Sequence, residues 1–183
     1  YNNIDPSQYI IGKDKYRKTS HELRIASPAE DRFRFVAGVF YQDQFHDIEQ
    51  RYKVDNLNDS LEVFGWSDTL WLTKQERRDR DRAIFGEFTF DFTDKLTGTA
   101  GFRHFKAHNG LQGFFGFGNG YSPTPDPADY DDGVNDPGYI RALERAQGEA
   151  KCEILYGSDK SQWEPFNGAP CFMLDKEIKE SGT

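Results

Sequence analysis

Four histidines, two cysteines and 31 acidic residues are the groups in this chain that could do chemistry. His21, His46, His104 and His108 show no metal-ligand spacing. His104 and His108 stand four apart, which on a strand places them on one face about 13 Å from each other, too far to share an ion. Asp126, Asp129, Asp131, Asp132 and Asp136 offer oxygens of the type calcium takes. They lack the EF-hand order and its closing glutamate, so the stretch reads as a solvated acidic loop. No GxSxG, Walker or HExxH motif occurs, and acids in such number carry no information about hydrolysis. The chain is therefore expected to be no enzyme and to need no metal or cofactor. Cys152 and Cys171 belong to no CxxC pair. Bonded to each other, as an extracytoplasmic protein would have them, they close a loop of about 20 residues and stabilise by about 3 kcal/mol; two unrelated buried thiols are the alternative.

Aromatic residues are the other chemical resource. Of 183 residues 36% are hydrophobic and 15% aromatic, with sixteen Phe, nine Tyr, three Trp, seventeen Gly and a single Met. That balance suits β-structure built on aromatics and glycine better than leucine-rich helices. The net charge of −8 argues against non-specific affinity for nucleic acid or for an anionic membrane surface. No run approaches the ~20 apolar residues of a spanning helix, which leaves a β-barrel open, since its strands need only about ten residues with every second one apolar. The sequence shows no basic n-region followed by an apolar h-region, so no signal peptide is expected within it.

The elements that must position these residues are strands. In RAIFGEFTFDFTDKLTGTAGFRHFK (82–106), Ile84, Gly86, Phe88, Phe90 and Phe92 alternate with Phe85, Glu87, Thr89, Asp91 and Thr93. After Asp94 and Lys95 the alternation restarts, with Leu96, Gly98, Ala100 and Phe102 against Thr97, Thr99, Gly101 and Arg103. Two strands about a two-residue turn are the expectation, one face apolar and the other polar. SHELRIASP gives a shorter strand ended by Pro28, and FRFVAGVFYQDQFHDIEQRYKV a long one over 33–54. The expected boundaries are a loop or cut end at 1–18, strands at 19–27, 33–54, 82–93 and 96–111, and a solvated connection at 55–81. A short helix within Leu70 to Arg80 is allowed there. A second long connection at 112–176 carries a short helix near 138–147, capped by Asp136 with Pro137 in its first turn, and 177–183 begins a further strand.

Connection lengths alternate short, long, short, long. In an up-and-down meander this gathers short turns at one end and long loops at the other, the asymmetry of outer-membrane barrels. A soluble sandwich permits the asymmetry without requiring it.

The strands SHELRIASP, FRFVAGVFYQ and AIFGEFTFDFTDKLTGTAGFRH, in that order, resemble the middle of the barrel of a TonB-dependent outer-membrane receptor. Members of that family show S-x-E-L-R-[LI]-x-S, [FW]-x-A-G-x-F-Y and F-G-x-x-x-[YF]-x-[LF]-T-[DE]-x-[LF]-x-[LTG]-x-A-G-x-R. The match covers roughly 19–45 and 82–105, and KESGT resembles the start of the next strand. The resemblance implies an all-β fold: an antiparallel meander forming one section of a 22-stranded barrel in the outer membrane of a Gram-negative bacterium. It implies uptake of a scarce solute such as a ferric siderophore, with energy relayed by TonB through a plug domain that this sequence does not contain. About four strands are present, too few to close a barrel alone.

Under that resemblance Leu23, Ile25, Phe35, Ala37, Val39, Tyr41, Ile84, Phe88, Phe90, Phe92, Ala100 and Phe102 meet lipid. Arg24, Arg34, Glu87, Asp91 and Arg103 face the lumen. Trp66, Trp71, Phe114, Phe115, Phe117, Tyr121 and Trp163 become aromatics of exposed loops and, as a group, the candidate ligand contacts. Taken singly, each would more commonly pack one loop on another. The competing expectation is a secreted β-sandwich that binds carbohydrate or protein and turns the same Phe face onto a second sheet.

Overall fold

The computed structural model describes residues 7–118, 120 and 147–183. Five strands, β1 (Gln8–Ala26), β2 (Phe33–Val54), β3 (Thr69–Thr93), β4 (Leu96–Phe117) and β5 (Leu174–Gly182), form one sheet in sequence order. The chain is all-β, an antiparallel meander, with one short helix α1 (Gly148–Tyr156) and a 3₁₀ turn at Lys160–Gln162. No described helix is long and apolar enough to cross a membrane, which says nothing about strands.

The strands run longer than hydrophobic alternation indicates. β1 starts at Gln8, inside the stretch expected to be a loop, and β3 starts at Thr69, so the charged run KQERRDRDR is strand, neither connection nor helix. Cross-strand charge explains both corrections. The Lys74 ammonium lies 3.5 Å from Asp47 and 3.3 Å from Glu49, and Arg78 and Arg80 each donate to Asp43 at 2.9 Å. On β1, Lys13 faces Glu49 at 3.9 Å, His46 lies 3.4 Å from Asp14, and the Arg17 guanidinium stacks 5.1 Å over Phe45. β4 continues six residues past 111 to Phe117, and β5 begins at Leu174. The helix expected near 138–147 and its cap lie outside the described residues, as do Tyr121 and the acidic cluster; α1 follows directly after that range.

Two compact units divide the described residues. The first draws on 16–45, 77–110 and 177–183. It contains both short turns: Ser27 donates its backbone N–H to the Phe35 carbonyl at 3.0 Å and accepts the Phe35 N–H on its hydroxyl, and Lys95 donates to the Thr93 hydroxyl at 3.2 Å. Glycines face aromatic rings on neighbouring strands. A Cβ on Gly38 would meet the Phe85 ring at 2.5 Å, one on Gly86 the Phe102 ring at 2.8 Å, and one on Gly98 the Phe92 ring at 2.7 Å. The missing side chain is the space the ring occupies, which fixes register between strands.

One face of this unit is apolar and uncovered. Leu23 is 67% exposed, Phe92 54%, and Ile25, Val39, Tyr41, Ile84, Phe88, Phe90 and Phe102 are exposed as well. Phe33, Phe88 and Phe102 form a stacked row with centroids 6.2 and 6.3 Å apart. The second sheet that a sandwich would lay on them is absent among the described residues.

The second unit draws on the described parts of 1–15, 46–76 and 111–176. Here apolar residues are inside: Val63, Leu72, Phe114, Cys152, Trp163, Ala169, Cys171, Met173 and Leu174 make a common core. The Cys152–Cys171 disulfide forms within it, with Cα atoms 6.0 Å apart. α1 sits close to the strand because glycine meets glycine. Gly116 takes φ 152, and a Cβ on Gly148 would strike the Phe114 ring at 2.7 Å and the Phe115 carbonyl oxygen at 2.8 Å. Two tight turns bracket the core. Trp66 donates to Val63 at 2.8 Å and Ala169 to Phe166 at 2.8 Å, the latter over Asn167 (φ 48) and Gly168 (φ 85), the Asn-Gly pair that such a turn favours.

Candidate functional site

The aromatic set divides into three groups. Phe114 is fully buried and Trp163 is 5% exposed, so both belong to the core and neither is the exposed-loop contact that the sequence suggests. The Trp163 indole donates to the Gly157 carbonyl at 2.8 Å and its ring meets Phe64 edge-on at 6.1 Å. Trp66 is half-buried. Its indole donates to the Gly168 carbonyl at 2.9 Å, tying the two tight turns together, and the Arg51 guanidinium covers it at 5.3 Å. Trp71, Phe115 and Phe117 form the third group, on β3 and β4. Trp71 lies 4.8 Å from Phe117, edge to face, and 5.7 Å from Phe115. All three stay partly exposed, and the Trp71 indole is aimed by a 2.9 Å hydrogen bond to the Thr73 hydroxyl. Alternation along β3 puts Trp71 and Thr73 on one side and buried Leu72 on the other, while Phe115 packs against the core as well as near Trp71. Thr73 is the residue that sequence reasoning missed. Its i, i+2 relation to Trp71 is a strand signal, hidden while 55–81 reads as a loop.

Around the core, charges are matched. Glu149, 1% exposed, accepts the Phe64 backbone N–H at 2.5 Å and the Lys160 ammonium at 2.7 Å. Lys160 also stands over the rings of Phe64 and Trp163 at 4.9 and 5.3 Å, so one cation closes the acid and two aromatic faces. Asp159 accepts the Ser161 hydroxyl at 2.7 Å and the Ser161 N–H at 3.0 Å, and these bonds hold its carboxyl below the usual carboxylate range, the hydroxyl bond most. Burial, then the nearby Glu164 carboxylate, push the Tyr156 phenol up, while its hydroxyl donates to the Phe172 carbonyl at 3.1 Å.

The five charges expected on the polar face of the other unit are treated unequally. Arg34 grips Asp91 with two N–H groups at 2.5 and 2.9 Å, and Thr97 donates to the same carboxylate at 2.6 Å. Arg32, which sequence reasoning passed over, donates to the carbonyls of Asp91 and Phe92 at 2.6 and 2.8 Å and covers Phe90 at 5.2 Å. Arg24 pairs with Glu22 and lies 5.6 Å over Phe85. The side chains of Glu87 and Arg103 have no hydrogen bond or ion pair among the described residues. Thr89 and Thr99 add a cross-strand hydroxyl contact at 3.1 Å.

No three histidine, cysteine or acidic side chains converge on a metal position among the described residues. His104 faces Thr183 at 2.9 Å and His108 faces Glu177 at 3.4 Å, separate partners, the second on β5 and the first just past its end. What the arrangement supports is contact by aromatic faces and by apolar surface. Comparison with protein-family models, with curated proteins and with solved structures finds no match to this chain in any of the three. The class defined by fold and site is thus a one-sheet antiparallel meander, with an open apolar face in the unit of 16–45, 77–110 and 177–183 and a buried core in the other.

Proposed function

We propose that this chain is part of the barrel wall of a TonB-dependent receptor in the outer membrane of a Gram-negative bacterium. It takes up a scarce solute, a ferric siderophore being the candidate we put first. The observation that carries the reading is the uncovered apolar band. From Phe33 to Tyr41 every second residue of β2 is apolar, about 26 Å of strand, or about 20 Å of height at a barrel tilt, close to the ~25 Å band of such proteins. On the same side the residues beyond the band turn charged, with Asp43 on β2 and Arg82, Arg80 and Arg78 on β3. Exposing so many large apolar side chains to water would be an aggregation hazard, and lipid removes it.

In this reading the sheet continues into strands beyond the five described, closing a barrel of the 22-stranded kind. The short turns face the periplasm and the long connections the outside. Arg24, Arg34, Glu87, Asp91 and Arg103 then line the lumen, and Trp71, Phe115 and Phe117 are the ligand contacts we retain. The role is transport, with TonB engaged through a plug and with no catalytic step. The test is uptake by the intact protein: cells lacking it should lose accumulation of radiolabelled iron from a ferric siderophore, and restoring the gene should recover it. Unchanged uptake removes the transport role. Recovery of the full-length protein in the soluble periplasmic fraction removes the barrel as well.

A further inference from the structure

A cationic groove borders the apolar band. It has a volume of about 350 Å³, and its cations come from three adjacent strands: Arg80 and Arg82 from β3, Lys106 from β4, Lys179 from β5. A second groove of about 320 Å³ shares Arg82 and Lys106 with the first and is otherwise lined mainly by Val39, Tyr41 and Ile84, residues of the band itself. The two grooves together are charged at one end and apolar at the other. The acids beside them are occupied: Asp43 is held by Arg78 and Arg80, and Glu177 by Lys179 at 2.9 Å and His108 at 3.4 Å. Glu180 lines the charged groove as well. Arg82 and Lys106 are exposed and carry no ion pair among the described residues, so two unpaired cations stand at the junction against the single unpaired carboxylate of Glu180.

We propose that this groove binds a phosphate-bearing membrane lipid, its head group on Arg82 and Lys106 and an acyl chain along Val39, Tyr41 and Ile84. The inference rests on the barrel-wall reading above, which places the band in lipid. Charge complementarity selects the occupant. A zwitterionic head group brings its own cation to a site already rich in them, whereas a phosphate or phosphodiester supplies the missing anion, and guanidinium groups match its oxygens two at a time. The chain's net charge of −8 does not oppose this, because charges more than about 8 Å away are largely screened at physiological salt. The apolar groove favours a lipid over free phosphate, since an inorganic ion would leave Val39, Tyr41 and Ile84 unused.

The experiment uses the full-length protein in detergent, with bound lipid counted by native mass spectrometry during titration with phosphatidylglycerol, phosphatidylcholine or inorganic phosphate. Phosphatidylglycerol should be retained in preference to phosphatidylcholine, and inorganic phosphate should not displace it. The double variant Arg82→Gln, Lys106→Gln should weaken phosphatidylglycerol binding about thirtyfold. The charge-preserving Arg82→Lys, Lys106→Arg variant should stay within a few-fold of the parent. Both side chains are exposed, and Lys106→Gln alone, expected to weaken binding about fivefold, serves if the double variant does not fold. Equal retention of the two lipids, parental binding by the glutamine variants, or displacement by inorganic phosphate would overturn the lipid site while leaving the barrel intact. Failure of the full-length protein to insert into phosphatidylcholine vesicles would overturn both.

Discussion

The two units use one strand vocabulary to opposite ends. In the unit holding Phe114, Leu72 and the disulfide, apolar side chains are inside and charges such as Glu149 and Lys160 close over them. In the unit holding Phe88, Phe90 and Phe92, apolar side chains are outside, and ion pairs such as Arg34 with Asp91 stabilise the other face. In water the second arrangement is an aggregation hazard, and the first is not. The difference teaches that apolar alternation specifies that a face is apolar, while the neighbours of that face decide whether it is a core or a surface.

Substitutions that act differently in the two units break or sharpen this contrast. The largest effect is expected from Phe114→Ala, which empties a fully buried site and should cost about 4 kcal/mol, read as earlier denaturant unfolding and faster proteolysis of 147–173 in the full-length protein. Next comes the crosslink. Cys152→Ser with Cys171→Ser should cost about 3 kcal/mol by releasing the loop they close, with reductant lowering the melting temperature of the parent and leaving the variant unmoved. A melting curve of the parent indifferent to reductant would remove the disulfide's part in the comparison.

Phe88→Arg probes the other unit. In a bilayer it should cost about 2 kcal/mol, measured as loss of folded protein in vesicles, whereas Glu87→Lys one position away should change stability by less than about 0.5 kcal/mol. Equal effects from the two would contradict a lipid face and a water face on one strand. The smallest effect is acid sensitivity. The folded-state carboxyl of Asp159 is held below its unfolded value, so its contribution is complete above the ordinary carboxylate range and is lost as pH falls through the lower folded value. The melting temperature of Asp159→Asn should therefore fall less steeply over that acid window than the parent's.

Legibility followed the source of each signal. Phe33–Val54 was readable as a strand because alternation is local and survives the change from apolar to polar residues at Gln42 and Asp43. The run KQERRDRDR was not, because its strand state depends on Asp43, Asp47 and Glu49, about 25 to 37 residues earlier in the chain. The same blindness affected the site. Trp71 could be singled out as an aromatic, but its alignment with Phe115 and Phe117 depends on how β3 pairs with β4, and the burial of Phe114 and Trp163 on the fold of 147–173 around them.

By itself, then, the sequence determined the alternating strands, the short turns at 28–32 and 94–95, the two faces of the hairpin from Arg82 to Lys106, and a pair of cysteines at a separation that permits a bond. Those properties lie in neighbouring residues and in the two-residue period of a strand. Only the tertiary structure decided that charged runs extend the sheet, that Cys152 meets Cys171 inside a core, and that Arg80, Arg82, Lys106 and Lys179 come together from three strands at the rim of an apolar band. Each of these depends on pairing between distant segments, where the favourable term is a cross-strand contact that no local window of residues contains.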